Sequence, residues 1–197
     1  MPKTVTQPVF PVCAAAVAWP PACARLILMT GRPREGEAAP YYFPYIDEVD
    51  GDDALAVMES QLEESIVLFA AIAEEASLHR YAPGKWSIRQ VLNHITDTER
   101  AFAFRALWFG RGFATPLPGY DQNIAAAGAA ADNIAWSAHV EEFRAVRQST
   151  ISLFRNMSAE GWTRSGIASD NHVTVRALAF IIAGHVAHHL KILRERY

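Results

Sequence analysis

Cysteine is almost missing from this chain. Cys13 and Cys23 are its only two, and none follows in the remaining residues of a 197-residue sequence. The body of the protein therefore has no thiol nucleophile, and any thiol chemistry there needs a thiol that arrives as substrate. Excess charge is missing too: 18 Lys+Arg against 21 Asp+Glu give a net charge of −3. That balance leaves no electrostatic footprint for nucleic acid. Lys and Arg are scattered rather than blocked, so no polybasic membrane patch is present. No apolar run is long enough to span a bilayer. Several catalytic signatures are absent as well: H-E-x-x-H, the E-x-x-H of di-iron bundles, G-x-S-x-G, the P-loop and G-x-G-x-x-G.

What is present is an ordinary globular balance, 51% hydrophobic and 20% charged, in a length that suits one domain with a sizeable core. The first 28 residues differ from the rest. They hold both cysteines, no acidic residue and no helical stripe. Lys3 followed by an apolar stretch resembles a weak secretory signal, but Pro8, Pro11, Pro20 and Pro21 argue against it. Residues 1–31 are expected to be an unstructured or non-native extension with Met29 as a possible start, and residues 32–197 the working domain of a cytoplasmic protein.

Four segments carry helical periodicity, over about 53–77, 87–109, 134–156 and 174–195. The first places Leu55, Met58, Leu62, Phe69 and Ile72 on one stripe. The second opens with a capping box, Ser87 and Gln90, after the Pro83-Gly84 turn. No segment alternates with period two for long enough to predict a strand. The fold class is all-α, a four-helix bundle. The short first connection predicts that helices one and two are antiparallel neighbours, and the long second one lets helices two and three run parallel.

Seven histidines occur, three of them within the C-terminal GHVAHHLKILRERY. His185 and His189 are four apart, on one helix face, and that face is the apolar stripe through Ile182, Val186 and Leu193. Two imidazoles facing a bundle interior need partners, and a metal satisfies both. His188 points elsewhere and is explained by the helix C-terminal dipole. His79, His139 and His172 read as surface or structural residues. His94 lies in VLNHITDTER beside the Val91–Ile95 stripe. It is roughly 10 Å from the start of helix two, and the His185–His189 pair is roughly 12 Å from the end of helix four. An up-down-down-up topology makes these helices antiparallel and brings all three to one level. Three neutral imidazoles with no fourth protein ligand would leave coordination positions open, as in catalytic sites. The expected ion is a divalent transition metal, zinc or nickel foremost, although imidazole also suits copper and iron. Asp97 is a candidate to orient a ligand or hold water nearby.

The stretches RPREGEAAPYYFPYI, YAPGKWSIRQVLNHITDTERAFAFRALWFGRG, TPLPGYDQN and TVRALAFIIAGHVAHHLKILRERY resemble the DinB/YfiT-like superfamily, in order and at plausible spacing. The resemblance implies a four-helix bundle of up-down-down-up topology. It also implies a three-histidine metal site, formed by His94 and by the first and last His of the H-x-x-H-H run, His185 and His189. Characterised relatives include metal-dependent transferases that use thiols such as bacillithiol or mycothiol, a mycothiol-dependent isomerase, and proteins described as metal-dependent hydrolases.

Three functions are carried forward. The first is a metal-dependent transferase acting with a low-molecular-weight thiol. The second is a metal-dependent hydrolase, and the third a non-catalytic, stress-associated metal-binding module. Substrate-pocket candidates are Tyr120, Asp121 and Arg105, with Trp108, Tyr41, Tyr42 and Tyr45 nearby. Outward apolar residues such as Val57 and Val146 predict a homodimer. No nucleic-acid or membrane partner is expected.

Overall fold

The computed structural model describes residues 31–197. The expectation that residues 1–28 stand apart from the domain lies outside the described residues. Seven helices and one hairpin follow in order: α1 (Phe43–Ile46), α2 (Ala54–Ala70), α3 (Ile88–Gly110), α4 (Gln122–Ala129), α5 (Trp136–Arg155), α6 (Ala159–Thr163), β1 (Ser165–Ala168), β2 (Asn171–Thr174) and α7 (Val175–Arg196). The four long ones, α2, α3, α5 and α7, are the four helices read from periodicity. No helix among the described residues is long and apolar enough to cross a membrane.

Local signals start these helices. Asp53 accepts from Leu55 N and Ala56 N at the head of α2. Ser87 and Gln90 complete the expected capping box at the head of α3, and Thr174 accepts from Ala177 N at the head of α7. Each cap satisfies backbone N–H groups that the helix leaves without partners.

The first helix ends at Ala70, several residues earlier than its periodicity predicts. Tertiary bonding overrides propensity there. The Glu74 carboxylate accepts from Trp136 N, at 3.0 Å for one oxygen, and from Arg89 Nη2 at 2.5 Å. A continued α2 would carry Glu74 away from the heads of α3 and α5, which it joins. The β1–β2 hairpin was not predicted. Its strands are four residues each, too short for a period-two pattern to stand out.

α3 and α2 each pack against both α5 and α7. α2 and α3 therefore face each other across the diagonal, which corrects the expectation that they are neighbours. Because α2 ends at Ala70 and α3 starts at Ile88, 17 residues join them rather than a short turn, enough to span the diagonal. End pairings give the directions. Arg155, at the end of α5, pairs with Glu59 near the start of α2 at 2.6 Å. Ser87, heading α3, and Asp132, just ahead of α5, are joined by a hydrogen bond. Tyr197, after α7, bonds Trp86 O, just before α3. So α3 and α5 run one way, and α2 and α7 the other.

The core fills with Met58, Phe69, Leu92, Ile95, Phe143, Phe154, Leu178 and Phe180, all fully buried. Each such side chain contributes about 1.5–3 kcal/mol of transfer free energy. α7 is the most enclosed element, buried without a break from Ala177 to Val186. Val57 and Val146, on which the homodimer expectation rested, are half-buried rather than outward-facing.

Candidate metal centre

Two devices outside the long helices shape the surroundings of the histidines. The first is a close approach at Gly184. A Cβ there would lie 1.8 Å from Tyr45 O, so only glycine lets α1 settle against α7. Seated there, the Tyr45 ring meets His185 edge-on at 5.5 Å and His188 at 5.2 Å between centroids. The second is the pinning of the α3–α4 crossover to the hairpin. Leu117 N donates to Ile167 O, and Ser169 N donates to Leu117 O. Arg105 reinforces this, donating to Pro118 O at 3.2 Å and to Ser169 Oγ at 2.9 Å. Tyr120 follows directly.

His94, His185 and His189 converge. Their ligating nitrogens all lie within 4.8 Å of one another. His94 Nε2 is 3.1 Å from His185 Nε2, and His189 Nε2 is also 3.1 Å from it. His94 and His185 are buried and His189 is half-buried. The Trp86 ring lies against His94, centroids 4.9 Å apart. A cavity of about 220 Å³, lined by Tyr81, Trp86, Val91, Ile192 and Tyr197 among others, reaches His189.

Burial sets the charge of these rings. His94 is pushed down to about 4 from an ordinary 6.5 by loss of hydration. His189 is pushed down to about 3, by burial first and then by the charges of His94 and His188. His185 is held well below 6.5 by burial, then by its histidine neighbours and Arg147. All three are neutral at pH 7, with one N–H and one lone pair each. His94 Nδ1 is 3.3 Å from Thr98 Oγ1; a ring whose Nδ1–H donates to that hydroxyl turns its Nε2 lone pair inward.

This arrangement fits a metal ion. A close N···N contact needs a proton on one partner, and two such contacts share His185 Nε2. A single proton there would serve both only as a weak three-centre bond. A cation satisfies three converging lone pairs at once, and spacings of 3.1 Å suit nitrogens each about 2.0–2.1 Å from one ion. The donor set is all imidazole, which suits zinc, nickel, copper or iron.

The other predicted residues separate into groups. Asp97 pairs with Arg100 at 3.2 Å and makes no hydrogen bond to a ligand histidine. Tyr120 lies close to the ligand helix: its hydroxyl is buried beside Thr98 and Asp97. Burial, and then the Asp97 charge, raise its pKa, so the phenol keeps its proton. Asp121 is occupied in capping α4, accepting from Asn123 N and Ile124 N. Arg105 is buried and holds the crossover rather than facing the histidines. Trp108 donates to Thr115 O and stacks on Phe113. Tyr41 and Tyr42 pack with their rings tilted at 43°, and Tyr42 meets Phe102 edge-on.

His188 stays outside the cluster, but not for the expected reason. It lies well before the last turn of α7, beyond the reach of the helix dipole, and packs between Tyr45 and His189. Of the remaining histidines, His139 is buried with Nε2 donating to Ala131 O at 2.9 Å. His79 and His172 are exposed. Thr98 and Trp86 were missed as site residues. Thr98 was findable, because i+4 from His94 shares its helix face; Trp86 reaches His94 only through the turn before α3.

The depressed histidines give the metal-free protein a pH dependence. Below about pH 6.5 the unfolded chain takes up protons that the folded site refuses, so stability falls as pH drops from there toward about 4. Urea denaturation with chelator present should show a lower midpoint at pH 5 than at pH 7. The drop should shrink in a His94→Gln/His189→Gln protein.

Fold and site together define a helical-bundle protein with a three-imidazole centre in its interior. The chain belongs to the DinB superfamily, whose sequence pattern matches residues 30–193. Among solved structures it is similar to YfiT from Bacillus subtilis, described as a probable metal-dependent hydrolase with an unusual four-helix bundle topology. That match has a TM-score of 0.63 and 17% identity, over 83% of this chain and 89% of that one. It is also similar to a mycothiol-dependent maleylpyruvate isomerase, with a TM-score of 0.60 and 13% identity, over 70% of this chain and 58% of that one. At these identities the likeness is one of fold. No curated sequence matches significantly.

Proposed function

We propose that His94, His185 and His189 hold a divalent transition metal, zinc or nickel, and that the protein is a metal-dependent transferase acting with a low-molecular-weight thiol. The observation that carries this reading is the convergence of three neutral imidazoles, two buried and one half-buried, with no fourth protein ligand among the described residues. When bound, a divalent ion would supply Lewis acidity to a thiol or water reaching its open positions. The chain's own residues supply the rest. Neutral imidazoles leave the positive charge of the site uncancelled. Tyr45 and Trp86 wall it with aromatic surface and limit water. Tyr120, protonated and beside Thr98, would donate a hydrogen bond to charge developing on an electrophile. No cysteine follows Cys23, so the sulfur comes from substrate.

Hydrolysis is the second reading, supported by the likeness to YfiT. It needs a general base beside the centre, and the carboxylate closest in sequence to His94, Asp97, is engaged by Arg100. That engagement favours the thiol reading. The test is a conjugation screen with zinc- or nickel-loaded protein, small thiols and electrophiles. Product that forms only with thiol, and disappears with chelator, is expected. Ester or amide cleavage without thiol would move the assignment to hydrolase. Neither activity across broad panels would leave a metal-binding module.

A further inference from the structure

The Nδ1 atoms of the ligand histidines are treated unequally by the fold. A ring that presents Nε2 to a metal must carry its proton on Nδ1, and that N–H needs an acceptor to fix tautomer and ring plane. His189 Nδ1 is buried with no partner among the described residues. His94 Nδ1 has one: Thr98 Oγ1 at 3.3 Å, one helical turn further along α3. Thr98 is itself buried, so the hydroxyl has little water to compete for it. Its burial also removes the ordinary alternative of a solvated surface threonine. Trp86 packs against the same ring, limiting its tilt but offering no acceptor at Nδ1. Tyr120, at the end of the pinned crossover, lies near the same hydroxyl.

We infer that Thr98 is a positioning residue for the metal centre: its hydroxyl accepts the His94 Nδ1 proton and holds the imidazole with Nε2 toward His185 and His189. This rests on the metal reading above and adds a residue to it. Thr98 touches neither metal nor substrate and acts through His94. It also joins the centre to the crossover, because one hydroxyl lies beside both His94 and Tyr120. Helix propensity does not account for a buried threonine here, since β-branched residues are slightly unfavourable in helices. The sibling Thr96 shows the usual arrangement, its Oγ1 donating back to Leu92 O at 2.9 Å. Thr98 instead spends its oxygen on a ligand ring.

The test compares zinc and cobalt(II) affinities of the full chain with those of Thr98→Val, Thr98→Ala and Thr98→Ser. Competition titration gives Kd, and the visible spectrum of the cobalt form reports ligand geometry. Val keeps shape and removes the acceptor, so affinity should fall about 10–100-fold while the metal-free thermal midpoint stays close to wild type. Ser keeps the acceptor and should recover affinity to within a few-fold, with a wild-type cobalt spectrum. If Val does not fold, Ala carries the same expectation. Unchanged affinity in Val or Ala overturns the inference, and so does a Ser protein as weak as Val. Failure of the wild-type protein to bind either ion overturns the metal reading itself, a separate outcome.

Discussion

His185→Ala protein should keep its helices and lose its metal. His185 Nε2 is the shared member of both 3.1 Å contacts, so its removal deletes the ligand that touches both others. Two imidazoles on different helices then remain, an ordinary weak pair. Elemental analysis after purification and dialysis should show near-stoichiometric metal in the wild type and almost none in His185→Ala. His94→Ala and His189→Ala should behave likewise, because each leaves only two ligands. His188→Ala should retain metal, since its ring packs against Tyr45 and His189 and lies outside the converging group. Full occupancy in His94→Ala would end the three-histidine assignment. Helical circular dichroism of the metal-free variants should match wild type, because the long helices are held by their caps and by the apolar core. Chelator-sensitive conjugation should vanish with the metal.

Arg147→Met should be the most destabilising single change in the bundle interior. Arg147 is fully buried. Its Nε and Nη2 donate to Glu99 Oε2 at 3.0 and 2.7 Å, and its Nη1 donates to Gln61 Oε1 at 3.2 Å. Gln61 Nε2 in turn donates to Ala183 O at 2.9 Å. This chain of bonds links α5, α3, α2 and α7. Removing the guanidinium strands a carboxylate whose side chain is 1% exposed and whose Oε1 already lacks a partner among the described residues. Breaking such a pair costs about 3–5 kcal/mol, whereas replacing both partners with apolar groups is often neutral or stabilising. Urea denaturation at pH 7 should therefore show a large loss in Arg147→Met and substantial recovery in Arg147→Met/Glu99→Leu. A loss below about 1 kcal/mol, the range of exposed pairs, would show that water reaches Glu99. Because Ala183 lies two residues before His185, the single variant should also weaken zinc binding.

The sequence by itself determined the long helices, and the reason is local. Apolar periodicity, the Ser87–Gln90 capping box and Thr174 act within a few residues of themselves, and no distant contact is needed to read them. It also determined the candidate ligands. His185 and His189 share a face by helix geometry alone, and His94 joins them once α3 and α7 run in opposite directions. What only the tertiary structure decided depends on atoms far apart in the chain. The end of α2 at Ala70 follows from Glu74 bonding to Arg89 and Trp136. The diagonal placement of α2 and α3 follows from how four helices share one core. Asp121 and Arg105 carry the charges a substrate site would use, yet capping of α4 and anchoring of Pro118 claim them. Arg147 shares a helix face with Phe143 and Ile151, four residues to either side, but only the fold supplies Glu99 and Gln61 as its partners. A side chain's type states which bonds it can make. Only the fold, by deciding which partners come within about 3 Å and which atoms lose water, states which bonds it does make.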